Sequence, residues 1–227
     1  MIEERYRMNL NAITKSEMQQ LESAKVCIVG CGGLGGHIIE MLARLGVGHL
    51  VIVDGDTFHE SNLNRQLFSR EDNIGESKAK ESAKLVGRIN SNIKVDYHHL
   101  YMSKNNAEEL LAGCLLAVDA LDNVEGRLLL EKVCSDLNIP LVHGAIGGWY
   151  GQVAVVMPGS KLLEKIYGDR MEKGEETSLG NPAFIAANIA SIQVAECVKL
   201  LAGKESPLKN AILEVDLLSH CFDIIKF

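Results

Sequence analysis

Two cations, a set of carboxylates and a cluster of glycines are the residues of this sequence that could do chemistry together. Gly30-Cys-Gly32-Gly33-Leu-Gly35-Gly36 follows the apolar run Val26-Cys-Ile-Val29 and precedes a helical pattern. The spacing of Gly30, Gly32 and Gly35 is G-x-G-x-x-G. Glycine permits a tight turn there and lets backbone N–H groups approach a phosphate at the positive end of a helix. Asp54 lies nineteen residues beyond Gly35 and closes the next apolar run, where a ribose hydroxyl is held in such units. These features predict nucleotide binding, against the alternative of a glycine turn that only lets helix and sheet pack closely.

The next loop narrows the chemistry. Asp54-Gly-Asp56-Thr-Phe-His-Glu-Ser61-Asn62-Leu63-Asn64-Arg65-Gln66 gathers acids, amides and an arginine beyond a strand end, and Lys78 follows thirteen residues after Arg65. Arginine and lysine converging on a phosphate site suit a triphosphate whose charge must be offset during displacement. Asp119-Ala-Leu-Asp122-Asn123 stands at another strand end on the same edge, where a carboxylate could hold magnesium between phosphates. Asp56 reads equally as a helper of that magnesium or as a cap of its loop. Asp119 reads as a cap of its strand, and His143, at a strand end beside Gly144, is a further site candidate.

The elements that must position these residues alternate. Apolar runs at 26–29, 50–53, 93–97, 115–118 and 140–143 read as strands. Between them, Leu34, Ile38, Leu42 and Leu45 recur at helical spacing, and residues 77–90, a short stretch near 107 and residues 124–137 are helical. Thr14-Lys-Ser-Glu17 is a capping-box pattern opening a short N-terminal helix. From Trp149 the order changes: 152–157 is a strand without a preceding helix, and 211–217 with 220–226 forms a hairpin. The expected fold is α/β, a Rossmann-like doubly wound mixed sheet, parallel in its N-terminal half with antiparallel strands added C-terminally. Residues 168–182 read as a surface loop, and Trp149-Tyr150 read as core packing in preference to a groove lining.

Composition sets the outer bounds. At 227 residues, 47% hydrophobic and 23% charged, the chain has enough apolar material for one α/β domain. A net charge of -7 argues against nucleic acid and against an anionic membrane surface. The start shows no secretory pattern, and the most apolar stretch, 183–201, is interrupted by Asn188, Gln193, Glu196 and Lys199, which favours a buried helix over a span. Six cysteines without a C-x-x-C pair predict a reduced, cytoplasmic protein with no zinc site, Cys197 and Cys221 being core residues. His98-His99 read as exposed loop histidines.

The combination of Gly30-x-Gly-Gly-Leu-Gly35, Asp54-x-Asp56, Ser61-Asn-Leu-Asn-Arg-Gln66, Gly75-x-x-Lys78 and Asp122-Asn123 resembles the ThiF/MoeB/HesA family of bacterial E1-like adenylyltransferases. The resemblance extends over nearly the whole chain and includes Gly151-Gln-Val153 and Lys199-Leu-Leu-Ala-Gly203. It implies an N-terminal arm and helix over 1–24 and a single E1-like adenylation domain over 25–227, with a crossover loop at about 168–182. It further implies a homodimer that uses ATP and Mg2+ to activate the C-terminal Gly-Gly carboxylate of a ubiquitin-fold sulfur-carrier protein. In that pattern the glycine turn, with Gly33 against the nucleotide, and Asp54 on the ribose hold ATP. Asn62, Arg65 and Lys78 contact phosphates, Asp56, Gln66 and Asn123 complete the site, and Asp122 coordinates magnesium; Arg65, Lys78 and Asp122 are the catalytic candidates. The chain departs from the pattern in lacking paired C-x-x-C zinc motifs, in having no cysteine within 168–182, and in placing Met8 where the arm has an arginine, with Arg7 one residue earlier. Adenylation without a thioester step is therefore expected. The alternatives are adenylation of a tRNA or peptide carboxylate, a catalytically reduced partner subunit, and a nicotinamide dehydrogenase, which leaves Arg65 and Lys78 unexplained.

Overall fold

The computed structural model describes residues 3–168 and 179–227. A 3-10 turn over Glu4–Asn9 and helix α1 (Lys15–Ser23) lead into β1 (Lys25–Val29), α2 (Gly33–Leu45) and β2 (His49–Val53). Short 3-10 turns at Glu60–Asn62 and Glu71–Asn73 shape the following loop. Then come α3 (Lys78–Ile89), β3 (Lys94–His98), α4 (Ala107–Leu111), β4 (Leu116–Asp119), α5 (Val124–Asp136) and β5 (Leu141–Gly147). β6 (Tyr150–Val156), α6 (Leu162–Tyr167), α7 (Ala183–Leu201), β7 (Ala211–Asp216) and β8 (Cys221–Lys226) complete the chain.

Local chemistry sets the helix ends. Thr14 and Glu17 close both halves of the capping box on α1, the Glu17 N–H donating to Thr14 Oγ1 at 3.3 Å and the Thr14 N–H to Glu17 Oε2 at 2.7 Å. α2 stops at Gly46, whose φ of 83° is the left-handed conformation that glycine adopts without penalty. Ser77 caps α3 by accepting from the Lys80 N–H, and Asn123 caps α5 by accepting from the Gly126 N–H at 2.8 Å.

The strands form one eight-stranded sheet in the order β3-β2-β1-β4-β5-β6-β7-β8. β3 through β5 pair in parallel; β5 with β6, β6 with β7 and β7 with β8 are antiparallel. This is the mixed Rossmann-like sheet the sequence predicts. Its strand order reverses between β1 and β4, whose ends meet at Val29 and Asp119, and ligands of such sheets bind at that crevice.

Alternation along the strands divides the core. Ile28, Ile52 and Val118 face a cluster built with Leu21, Ile38, Leu42 and Ile189, whereas Val29, Val53 and Ala117 face one built with Leu110, Leu130 and Leu163. Helix α7 lies against α2 and β5 and buries Ile185, Ala186, Ile189 and Cys197, as the buried-helix reading anticipates. β8 is different: all six of its residues are exposed.

Several sequence expectations need correction. Trp149 and Tyr150 are 44% and 50% exposed, not core; the Trp149 ring instead meets Phe184 with centroids 4.5 Å apart. Cys221 is exposed because it lies on the uncovered strand β8, while Cys27, Cys31, Cys114, Cys134 and Cys197 are buried. His98 closes β3 and only His99 lies beyond it. α6 has no counterpart in the sequence reading, and β5 runs on to Gly147 through a glycine-bearing stretch that pairs with β6. Most of the expected loop, residues 169–178, lies outside the described residues.

Candidate active-site cleft

A cleft of ≈ 690 Å³ opens at the reversal point of the sheet. Gly30, Gly32, Gly33, Asp54, Asp56, Arg65, Gln66, Lys78, Asp122 and Asn123 all line it. Gly35 and Asn62 do not.

The glycines divide into two kinds. A Cβ on Gly30, whose φ is 100°, would lie 2.4 Å from the Ala120 carbonyl oxygen, and one on Gly35 would lie 1.9 Å from the Gly30 carbonyl oxygen. These two allow β1, α2 and the end of β4 to approach closely, so the packing reading holds for Gly35. Gly32 and Gly33 face the cleft, their nearest neighbours being Gln66 and, for Gly33, Ala186 and Arg65. No side chain caps the N-terminus of α2, where the first-turn N–H groups carry partial positive charge.

Asp54 fastens the turn to the loop after β2. Its Oδ2 accepts from the Cys31 N–H at 2.6 Å and its Oδ1 from the Asp56 N–H at 2.7 Å. Burial pushes its carboxyl above the usual value, partly offset by those two hydrogen bonds.

Lys78 opens α3 and is 5% exposed. Its ammonium lies 3.1 Å from Asp56 Oδ2, and the Asp56 carbonyl accepts from the Lys78 N–H at 3.0 Å. The Tyr101 hydroxyl donates to Asp56 Oδ1. Burial raises the Asp56 carboxyl, but Tyr101 and Lys78 outweigh it and hold the group below its ordinary value. Asp56 is therefore the resident counter-ion of Lys78 as well as a brace for its loop.

Arg65 Nη1 donates to the Ser61 carbonyl at 2.9 Å and to Asn64 Oδ1 at 2.8 Å. Asn62 builds this loop from within: its Oδ1 accepts from the His59 N–H, and its carbonyl accepts from the Arg65 and Gln66 N–H groups. Its amide does not reach the cleft, because it is spent on the turn that aims Arg65. Gln66 is buried beside Gly32, and its Oε1 has no hydrogen-bond partner among the described residues.

Asp122, also lining the cleft, is exposed, with the Asn123 amide 3.4 Å away. Asn123 serves chiefly as the cap of α5. Asp119 and His143 are fully buried beneath this end: His143 Nδ1 is 2.6 Å from Asp119 Oδ2, and Asp119 Oδ1 accepts from the Leu121 N–H at 2.9 Å. Asp119 thus caps its strand, and His143 supports the site without lining it.

Sequence reasoning missed Tyr101 and Arg127, which also line the cleft. Tyr101 follows β3 on the ligand edge of the sheet, a position that marks any loop residue for attention. Arg127, buried on the first turn of α5, carries no local signal. Together the cleft gathers three cations, Arg65, Lys78 and Arg127, a helix N-terminus and a solvent-facing carboxylate, Asp122. Such an arrangement can hold a polyanion and offset charge that develops on it.

The family model described as the ThiF family matches residues 5–227. The chain is 34% identical over 211 residues to the SAMP-activating enzyme E1 of Haloferax volcanii, spanning 92% of this chain and 78% of that protein. It is 31% identical over 213 residues to the molybdopterin-synthase adenylyltransferase of Salmonella typhimurium, spanning 92% of this chain and 85% of that protein. It spans only 44% of the adenylyltransferase and sulfurtransferase MOCS3-2 of Zea mays, at 34% identity. Among solved structures, E. coli MccB shares the fold with a TM-score of 0.84 at 22% identity, over 98% of this chain and 69% of that one. Matched by the family model from residue 5 to residue 227, the chain belongs to the ThiF family of E1-like adenylyltransferases.

Proposed function

We propose that this chain binds ATP in the cleft and adenylates the C-terminal Gly-Gly carboxylate of a ubiquitin-fold sulfur-carrier protein. The observation that carries the reading is the convergence of Arg65, Lys78 and Asp122 on one cleft with the glycine turn. The relatives named for activating SAMP and for adenylylating in the molybdopterin-synthase system support the class of acceptor.

In this reading Asp54 receives the ribose and the α2 N-terminus receives phosphate. Lys78 exchanges Asp56 for phosphate oxygens, and Arg65 turns its guanidinium from the Ser61 carbonyl onto the same group. The carrier carboxylate attacks the α-phosphorus; the bond to the β-phosphate oxygen breaks, and pyrophosphate leaves with its electron pair. A carboxylate approaching an anionic phosphate is repelled, so the cations lower the barrier by offsetting charge and the cleft by holding the pair in line. Asp122 suits magnesium, which is held by one or two carboxylates together with phosphate oxygens and water; bound there, it supplies further neutralisation.

No thioester step belongs to this reading. Cys197 is buried, and burial drives its thiol far above the ordinary value. Cys221 lies on β8, four strands from β4 and so about 19 Å across the sheet. A separate sulfur donor then acts on the adenylate. The reading also carries a homodimer and a cytoplasmic setting. The Tyr6 ring packs over Gly46 at the far end of α2, about 20 Å from the glycine turn. Arg7, on the same arm, pairs with Glu4 at 3.0 Å. In this reading, an arm arginine serves a second copy's cleft.

Exchange of radioactive pyrophosphate into ATP tests the reading. Exchange that requires a ubiquitin-fold protein ending in Gly-Gly, and stops when its last glycine is removed, is the expected result. ATP binding without exchange in the presence of such carriers overturns it, and exchange driven by tRNA or a short peptide transfers the activity to that acceptor.

A further inference from the structure

The buried polar cluster beneath the Asp122 end of the cleft joins two helices that are otherwise separate in the chain. Arg127, on α5, donates from Nη2 to the Leu121 carbonyl at 2.8 Å, fixing the residue that precedes Asp122. Its Nη1 donates to the Tyr167 hydroxyl at 3.2 Å, and the guanidinium carbon sits 5.4 Å from the Tyr167 ring centroid. Gln152, on β6, donates to the same hydroxyl at 2.6 Å. The hydroxyl lies 3.1 Å from His143 Nε2, whose Nδ1 faces Asp119. With Nδ1 protonated toward Asp119, Nε2 is an acceptor that the Gln152 amide also reaches at 3.1 Å, and beside it the Tyr167 hydroxyl takes donors from Arg127 and Gln152. It is the common partner of β5, β6 and α5.

The other end of α6 is held from α5 as well. Lys161 precedes the helix at φ 52° and gives it no side-chain cap. Glu131 supplies that cap from across the interface, accepting from the Leu163 N–H at 2.8 Å and from the Glu164 N–H at 3.0 Å. Two clamps from one helix tie α6 to α5 at both ends, and α5 begins at the residue following the Asp122-Asn123 turn. We propose that Tyr167 is a positioning residue for Asp122, its hydroxyl locking Arg127 and so the Leu121–Asp122 turn in the geometry the reaction needs. The role in reaction rests on the activity proposed above; the mechanical coupling does not.

Tyr167→Phe removes only the hydroxyl, and two measurements on the full chain separate the two ideas. Hydrogen–deuterium exchange should show faster amide exchange at 120–128 and 162–168, with β1 and β2 unchanged. The matched control Tyr97→Phe, on the opposite sheet edge, should leave both segments unchanged. Protection at 120–128 equal to that of the unmodified chain overturns the coupling, whatever the activity. In pyrophosphate exchange, kcat should fall about tenfold with the KM for ATP unchanged, the scale of a small misplacement at the reacting centre. A raised KM at unaltered kcat, or no kinetic change, overturns the positioning role. Loss of protection throughout the chain would mean a general stability role and overturn it too. Absence of exchange in the unmodified chain with Gly-Gly carriers would sink the proposed activity, leaving the coupling to stand or fall on the amide data.

Discussion

The parallel half of the sheet and its antiparallel extension are built from similar strands yet end in opposite situations. On β1, β2 and β4 nearly every residue is buried, because parallel strands require crossovers and the crossover helices cover both faces. On β8, reached from β7 by a tight turn, Phe222, Ile224 and Ile225 remain exposed, since a hairpin brings no covering element. The cleft lies mainly in the covered half, at the place where strand order reverses, with Gly180 and Asn181 lining it from the later part of the chain. Rigid helices and close-packed glycines hold its residues there, whereas the extension contributes support through Gln152 and open surface through β8.

Three experiments, using four substitutions, test this contrast. The largest effect is expected in the covered half's chemistry: Asp122→Ala should keep ATP binding yet lower pyrophosphate exchange about 10²–10³-fold, as loss of a charge-stabilising group does. Undiminished exchange in that variant would remove Asp122 from the reaction. Next, urea unfolding should show Ile52→Ala, fully buried on β2, losing about 2–5 kcal/mol, whereas Ile224→Ala, on β8, stays within about 0.5 kcal/mol. Equal losses would mean that β8 is covered in solution. The smallest effect concerns Asp56. Its folded carboxyl titrates below the ordinary value of 3.8, so its contribution is present above that value and is lost as pH falls through the lower folded one. The melting-temperature advantage of the unmodified chain over Asp56→Asn should be full near neutrality and fade only in that acid window. An advantage that persists unaltered below it would contradict the Lys78 pairing.

The covered half was also the legible half. Apolar runs marked β1, β2 and β4, the capping-box residues marked α1, and the glycine spacing with its flanking elements marked the turn. Most candidate cleft residues could be read because they sit at a parallel strand end or in the loop after it, and Lys78 because it opens the helix that closes that loop. What escaped was what tertiary contact alone decides. α6 is six residues long and is capped by Glu131 from another helix, so its own sequence does not announce it. Arg127 and Tyr167 meet across forty residues. Residue type places Trp149 and Cys221 in the core, but the hairpin turn and the uncovered strand that carry them offer no core to enter. Asn62 and Gly35 were expected at the ligand and instead build the loop and the turn that present Arg65 and Gly33.

In the proposed function one triphosphate sits among Arg65, Lys78 and Asp122 above the glycine turn. A crystal structure with a non-hydrolysable ATP analogue and magnesium measures it directly. Phosphate oxygens are expected about 3 Å from the Lys78 ammonium and the Arg65 guanidinium, with Lys78 drawn away from Asp56 and the metal on the Asp122 carboxylate. Phosphates bound elsewhere, with the Lys78–Asp56 pair intact and Arg65 still on the Ser61 carbonyl, would contradict it.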